Sequence, residues 1–391
     1  MSNHTKKSII ELAENYLEAN YEIRKNQVTG AIESRSKNSE NFETELNEND
    51  LFRELHKNQI KISMGTLIAI LNSSFVSTFN PFEDYFTAIQ EIWSEEINGD
   101  IIGQLSSYIS AEDQERFNRH FKKMLVRSIA CALNPSVFNK HAFIFIQRIQ
   151  NGGKTTFNRW LCPPFLREYL TENLVLDKDG FISLCENFMI ILDELASLNK
   201  TEINGLKSVF SMESVKARPP YGRKAIKMIR RANFIGSTNR SEFLHDETGN
   251  VRWLCFRINQ INWAYKEDFN INMVWSQAYH LYKNGFAYNL TSDEIIENEK
   301  ANEEFMVTSS EYEMLLDTLS PATKEEHTHF MTTTEIMGYL IEQNCFHQRP
   351  NKIQLGKALC RLGFNQTQKF NGRYPVKGYY LNINALKNSS Y

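Results

Sequence analysis

No apolar run in this 391-residue chain approaches the roughly 18–20 residues that a membrane-spanning helix needs, so none is expected. The start, Met1 to Lys7, is polar, and the apolar residues behind it (Ile9, Ile10, Leu12) are too few for a signal peptide. The expectation is a soluble, cytoplasmic protein with no membrane partner. Cysteine is sparse as well. Cys131, Cys162, Cys185, Cys255, Cys345 and Cys360 are scattered with no CxxC pair, which argues against a zinc ribbon or a disulfide framework. His327, His329, Cys345 and His347 fall in one stretch, but at spacings foreign to zinc modules. Against these absences stands a hydrophobic fraction of 41%, enough for packed cores, in a length that suits two or three domains.

Acid is missing from two stretches, and that says more than the net charge of −3. From Gln343 to Tyr391 there is no Asp or Glu, while Arg349, Lys352, Lys357, Arg361, Lys369, Arg373, Lys377 and Lys387 are basic. A second acid-free block, Val215 to Arg231, holds Lys216, Arg218, Arg223, Lys224, Lys227, Arg230 and Arg231. Basic islands in an otherwise acidic chain point to a polyanion; a solvated basic surface is the alternative.

Along the chain, residues 1–50 hold one helix (Ile9 to Tyr21) and a polar stretch from Glu33 to Asp50 that reads as mobile. Residues 51–140 read as a helical region. Leu51, Leu55 and Ile60 share one face, Phe117, Phe121, Leu125 and Ile129 another, and Pro81 marks a break. From His141 short apolar runs (Ala142–Ile146, Phe188–Leu192, Asn233–Gly236, Trp253–Ile258) alternate with helical segments, which predicts an α/β domain with a largely parallel sheet over 141–318. Residues 270–318 return to helix, and Ser320 to His329 reads as a linker before a final module at 330–391.

The chemistry collects at the ends of the apolar runs. Ala142–Ile146 leads into Arg148-Ile-Gln-Asn-Gly-Gly-Lys-Thr-Thr156 and then an amphipathic helix. Backbone N–H groups in such a loop, opening into a helix N-terminus, suit phosphate oxygens. Gly152 and Gly153 permit close approach, Lys154 reaches the terminal phosphates, and Thr155, followed by Thr156, offers a hydroxyl to Mg²⁺. Arg148 stands where the full phosphate-loop motif has its first glycine. Phe188-Met-Ile-Ile-Leu-Asp-Glu194 is an apolar strand ending in two carboxylates, Asp193 for the Mg²⁺ shell and Glu194 as general base; the alternative is a helix cap. Phe234-Ile-Gly-Ser-Thr-Asn239 is a third strand, with Asn239 placed to sense the γ-phosphate. Arg218-Pro-Pro-Tyr-Gly-Arg-Lys224 is a turn between extended segments, and Arg218, Tyr221, Arg223 and Lys224 suit single-stranded DNA by charge and stacking. Arg252 is the first choice for an arginine finger given to a neighbouring subunit, with Arg230 and Arg231 as competitors.

The last module begins with a cap-like run at Thr332 and a helix carrying Ile336, Leu340 and Ile341 on one face. A second helix, Lys352 to Leu362, keeps Ile353, Leu355, Leu359 and Leu362 for a core and sends Lys352, Lys357 and Arg361 outward. Lys369-Phe-Asn-Gly-Arg-Tyr374 then reads as a hairpin with an Asn371-Gly372 turn, and Arg373 is basic. Helix–turn–helix plus hairpin is a winged-helix-like pattern for duplex DNA. A module that only packs or assembles remains the alternative.

Taken together, GGKTT, IILDEL, the run from Leu206-Lys207 to Arg218-Pro-Pro-Tyr-Gly-Arg223, GSTN, and Leu244-His-Asp-Glu-Thr-Gly249 followed by Arg252 resemble the virulence-associated protein E family (VirE/VapE), over about residues 75–310. Val251 takes the place of one of two arginines the family tends to carry there. The resemblance implies a P-loop NTPase core of the superfamily 3 helicase, AAA+ type, found on phages and mobile elements. It also implies ring assembly as a homo-oligomer, DNA-stimulated hydrolysis of ATP with Mg²⁺, and in some relatives a primase, fused or separate. Residues 1–140 show no primase-like carboxylate pair. The expectation is an ATP-dependent DNA motor for replication. Two readings stay open beside it: a nucleotide-regulated DNA-binding initiator that does not unwind, and an ATPase switch in phage conflict.

Overall fold

The computed structural model describes residues 7–43, 46–172, 174–193, 195, 198, 200–218, 224–244, 250–343, 350–370 and 372–384. The chain divides into two compact units, Met1–Phe305 and Met306–Tyr391.

The first unit opens with α1 (Ile9–Asn20), β1 (Tyr21–Asn26), β2 (Ile32–Ser36), α2 (Glu48–Lys57), α3 (Met64–Leu71) and β3 (Ser77–Phe79). The start of α1 is fixed by a capping box: Glu11 N–H donates to Ser8 Oγ at 3.1 Å and Ser8 N–H to Glu11 Oε2 at 2.8 Å. Strands β2-β1-β3 form a small sheet over a core of Leu17, Leu51, Leu55, Leu67 and Leu71. The polar stretch Glu33–Asp50, read from sequence as mobile, contains a strand and a helix start. Part of its polarity is satisfied locally: Arg24 pairs with Glu33 at 2.7 Å, and the Asn47 side chain caps α2.

Next come α4 (Pro81–Ile89), α5 (Glu95–Asn98), α6 (Ile101–Ser107), β4 (Ile109–Ala111) and α7 (Gln114–Leu133). Pro81 sits in the first turn of α4, where its missing N–H costs nothing. Then follow β5 (Ala142–Ile146), α8 (Lys154–Leu161), β6 (Leu170–Glu172), α9 (Lys178–Glu186), β7 (Met189–Leu192), α10 (Lys200–Phe210), β8 (Ser214–Ala217), β9 (Ile226–Ile229), β10 (Asn233–Thr238), β11 (Trp253–Ile261), α11 (Tyr265–Asp268), α12 (Ile271–Lys283) and α13 (Ser292–Asn302).

The six-stranded sheet runs β4-β11-β5-β10-β7-β6. Strands β11, β5, β10, β7 and β6 are mutually parallel, and β4 closes one edge antiparallel. The four apolar runs of the sequence form its four central strands. β5, fully buried along Ala142–Ile146, lies in the interior of the sheet, which is why it is apolar on both faces. From β5 the chain passes to the β6 edge, returns through β7 and β10, and crosses to β11 on the other side. That reversal opens a crevice beyond the C-terminal end of β5. Gly236 in β10 is required by close approach: a Cβ there would stand 2.6 Å from the Leu192 carbonyl and 2.9 Å from Ile144.

Helices α7 and α12 share one core with the sheet, so residues 51–140 are not walled off from it. Phe117 packs edge-on against Phe256, which stacks on Phe143 at 4.6 Å between centroids. On its other side α7 turns charge toward α13. Arg116 donates to Asn298 Oδ1 at 2.7 Å, Lys123 to Glu294 at 2.7 Å, and Arg119 to Glu297 at 2.5 Å.

The second unit contains α14 (Ser310–Thr318), β12 (Leu319–Pro321), β13 (His329–Met331), α15 (Thr333–Glu342), α16 (Lys352–Arg361), β14 (Gln366–Phe370) and β15 (Pro375–Ile383). The stretch expected to be a linker, Ser320 to His329, starts and ends in β12 and β13, both antiparallel to β15. The helix α14, assigned from sequence to the preceding domain, packs here instead: Leu315 joins Ile336, Leu340, Leu355, Leu359 and Leu381 in one core. Ile353, expected in that core, is largely exposed.

Candidate nucleotide site

The loop between β5 and α8 turns on two residues with positive φ, Asn151 (58°) and Gly153 (89°). Gly153 caps α8 without a side-chain hydrogen bond, so the first-turn amides are left facing outward. Gly152 lies against Gln147: a Cβ on it would fall 2.0 Å from Gln147 Oε1. Gln147 in turn ties the loop to both neighbouring strands, its N–H donating to Thr238 O and its Nε2 to Asn259 O, each at 3.1 Å. Arg148, in the place of the motif's first glycine, is exposed.

Five side chains converge here, Lys154 and Thr155 from the start of α8, Asp193 from the end of β7, and Ser237 and Asn239 from the end of β10. Lys154 is only 6% exposed, and its Nζ donates to Asn239 Oδ1 at 2.8 Å and to the Gln147 and Ile149 carbonyls at 3.3 Å. Burial pushes its pKa below the usual lysine value, while the nearby Asp193 carboxylate opposes that shift. Thr155 Oγ1 donates to Asp193 Oδ2 at 3.0 Å, and Ser237 Oγ to Asp193 Oδ1 at 2.5 Å. These groups line a cavity of about 570 Å³ that also includes Gly152, Gly153, Thr156 and Trp263. Lys154, Thr155, Asp193 and Asn239, the four residues the sequence sets apart at strand ends, are thus one cluster. Ser237 and Trp263 were not anticipated. Ser237 sits inside the GSTN run, so its polarity at a strand end was a signal. Trp263 follows β11 and reaches the loop only through the fold.

Glu194, Tyr221 and Arg223 lie outside the described residues, as does Asn371. The strands flanking the basic turn pair as a hairpin, Ser214↔Ile229 to Ala217↔Ile226, with Arg218 and Lys224 exposed at its outer end. Arg230 is no finger for its own or another site. It is fully buried, and its guanidinium donates to the Val209, Phe210, Met212, Ala232 and Asn139 carbonyls. Arg231 is likewise held by the Ala132 carbonyl. Arg252 stays half-buried, with Nε donating to Ser211 Oγ at 3.0 Å. It precedes Trp253, which pairs with Ala142 at the start of β5, so it sits at the end of the sheet opposite the loop.

In the second unit Lys352 donates to Thr334 Oγ1 at 3.0 Å, and Arg361 stacks over Tyr312 at 4.3 Å, turned toward α14 rather than outward. Lys357 is partly exposed and Arg373 exposed. Ile353, expected in the core, is exposed instead, and Phe370 and Tyr374 are further exposed apolar side chains of this unit.

Residues 92–307 match the family model of the virulence-associated protein E-like domain. Among solved structures, the apo structure of the NrS-1 C-terminal region (305–718) aligns over 96% of this chain and 100% of its own, at a TM-score of 0.52 and 13% identity. A fold is therefore shared with it. A structure described as JCV helicase aligns over 68% of this chain and 81% of its own at 11% identity, and its TM-score of 0.30 is too low to carry an argument. No curated protein matches. Among the described residues no helix is long and apolar enough to cross a membrane.

Proposed function

We propose, for a chain that belongs to the virulence-associated protein E family, that it binds and hydrolyses ATP at the β5–α8 loop and couples this to DNA during replication of a phage or mobile element. The observation that carries the reading is the contact of Thr155 and Ser237 with Asp193, beside Lys154 bound to Asn239. A hydroxyl and a carboxylate at 3.0 Å form the oxygen set that Mg²⁺ prefers. A buried lysine held by carbonyls and an amide is an ammonium ready to exchange those weak partners for phosphate oxygens. The strand order, with β10 between the loop strand β5 and the acidic strand β7, supports a P-loop core.

In this reading the amides of the first turn of α8 and Lys154 hold the phosphates, while Thr155 and Asp193 hold Mg²⁺, which neutralises phosphate charge when bound. Asn239 orients the γ-phosphate or the attacking water. Glu194, next to Asp193 in sequence, takes the proton from that water. Arg252 serves the site of a neighbouring subunit in a ring. The basic hairpin, with Arg218, Tyr221, Arg223 and Lys224, grips single-stranded DNA. The order α14–β12/β13–α15–α16–β14–β15 supports a winged-helix reading of the second unit, with Lys352, Lys357, Arg361 and Arg373 as basic groups for duplex DNA. The test is ATP hydrolysis by the full chain with and without single-stranded DNA, beside Lys154→Ala. A rate in that variant equal to wild type removes the reading. Hydrolysis and duplex binding without strand displacement would favour an initiator instead of a motor.

A further inference from the structure

We infer that Trp263 is the platform on which the base of the bound nucleotide stacks. The inference rests on the nucleotide reading above and adds a subsite to it. The indole lies directly against the loop: a Cβ on Gly153 would stand 2.8 Å from its Cζ2 and 3.2 Å from its Cη2. Even so, the side chain is 47% exposed and lines the same cavity as Lys154 and Asp193. Trp93, Trp253 and Trp275 are buried and Trp160 packs against the same core, so Trp263 is the tryptophan the core does not use.

Its backbone is fixed. Asn262 N–H donates to Tyr108 O at 2.8 Å, and Ala264 N–H to Asn262 Oδ1 at 3.1 Å. Two residues on, Tyr265 is fully buried against Phe157 and Trp160 of α8, the helix that starts at the phosphate loop. The indole plane and the phosphate-binding amides are therefore carried on one rigid assembly. A flat aromatic face, half wet and beside a phosphate cradle, matches the flat face of a nucleobase. Lys266 Nζ stands 4.8 Å from the ring centroid and adds positive charge beside the indole. Stacking reads a π-face common to all bases, so ATP and GTP should bind with affinities within about tenfold of each other.

The experiment titrates the full chain with Mg²⁺ and either ATP or inorganic tripolyphosphate, following tryptophan emission and heat. ATP is expected to quench the emission of wild type, and tripolyphosphate to bind without that quench. Trp263→Ala should weaken ATP about 5- to 100-fold, with tripolyphosphate unchanged within about twofold and Trp263→Phe restoring most of the ATP affinity. Equal loss for ATP and tripolyphosphate would make Trp263 a support for the loop and overturn the inference. Unchanged ATP affinity in Trp263→Ala would overturn it too, and would leave the indole as a surface for a second copy of the chain. A wild-type protein that binds neither ligand overturns the nucleotide reading and this subsite with it.

Discussion

Replacing Arg252 with alanine separates a finger acting in trans from every other role. β11 and β5 are parallel and in register, with Trp253 beside Ala142 and Arg257 beside Ile146. Arg252 is five positions before Arg257, so at the strand rise it lies about 16 Å short of the strand end from which the loop departs. That is longer than an arginine side chain, and no rotamer brings the guanidinium to Lys154 of its own chain. The hydrogen bond from its side chain to Ser211 is exposed, and its loss should cost no more than about 1 kcal/mol. Arg252→Ala should therefore fold and bind Mg²⁺–ATP like wild type while hydrolysis falls by roughly 10³-fold. Lys154→Ala should fail from the opposite cause, with an intact finger and a dead loop. If the two inactive variants are mixed one to one in a head-to-tail ring, about a quarter of the interfaces join a good loop to a good finger, and about that share of wild-type hydrolysis should return. The assay is phosphate release after co-incubation at a concentration that permits exchange. A mixture no faster than its parts, or an Arg252→Ala protein as fast as wild type, refutes the assignment.

Arg230→Met should destabilise the first unit by about 3–5 kcal/mol in urea unfolding, because several buried carbonyls lose a charged donor together; a loss well under 1 kcal/mol would refute the clamp. Gly236→Ala should cost about 1–3 kcal/mol and lower hydrolysis more than ATP binding, since widening the β10–β7 gap moves Ser237 and Asn239 away from Asp193. Burial, with the Arg116 charge second, lowers the pKa of His120 from 6.5 to about 3. The unfolded chain takes up that proton first, so the stability it contributes is full above pH 6.5 and declines by about 1.4 kcal/mol per pH unit below it. In urea melts from pH 7 to 5, His120→Gln should remove the His120 share of that slope and leave the share of His141, which burial also holds well below the usual histidine value; an unchanged slope would show that other groups set the acid sensitivity.

The central sheet was legible because buried parallel strands announce themselves as apolar runs, and β5, β7, β10 and β11 follow the predicted ones. That Lys154, Thr155, Asp193 and Asn239 meet was legible because each follows such a strand or opens the helix after it. β4 and β6 were not legible, being three residues each and carrying no periodicity. Trp263 was hidden because its neighbour Gly153 is distant in sequence. The dual identity of the arginines was hidden as well. Arg230, Arg231 and Arg252 look alike in a string of letters, and only packing separates a guanidinium clamped by carbonyls from one at an edge. Polarity misled in Glu33–Asp50, where Arg24–Glu33 and the Asn47 cap satisfy groups that composition alone assigns to solvent. It misled again at α14, whose pattern does not say which unit its apolar side chains join.

The buried guanidinium at the foot of the β8–β9 hairpin has a mechanical consequence. Arg230 follows β9 directly, and its donors reach back to the carbonyls that finish α10, while its own N–H meets Glu213 O at 3.2 Å. The hairpin is therefore riveted at its root to α10 and, through Ala232, to β10. Such an arm has no hinge at its base. A strand of DNA held at its outer end would advance when the whole subunit tilts, and the travel would grow with the distance from rivet to tip.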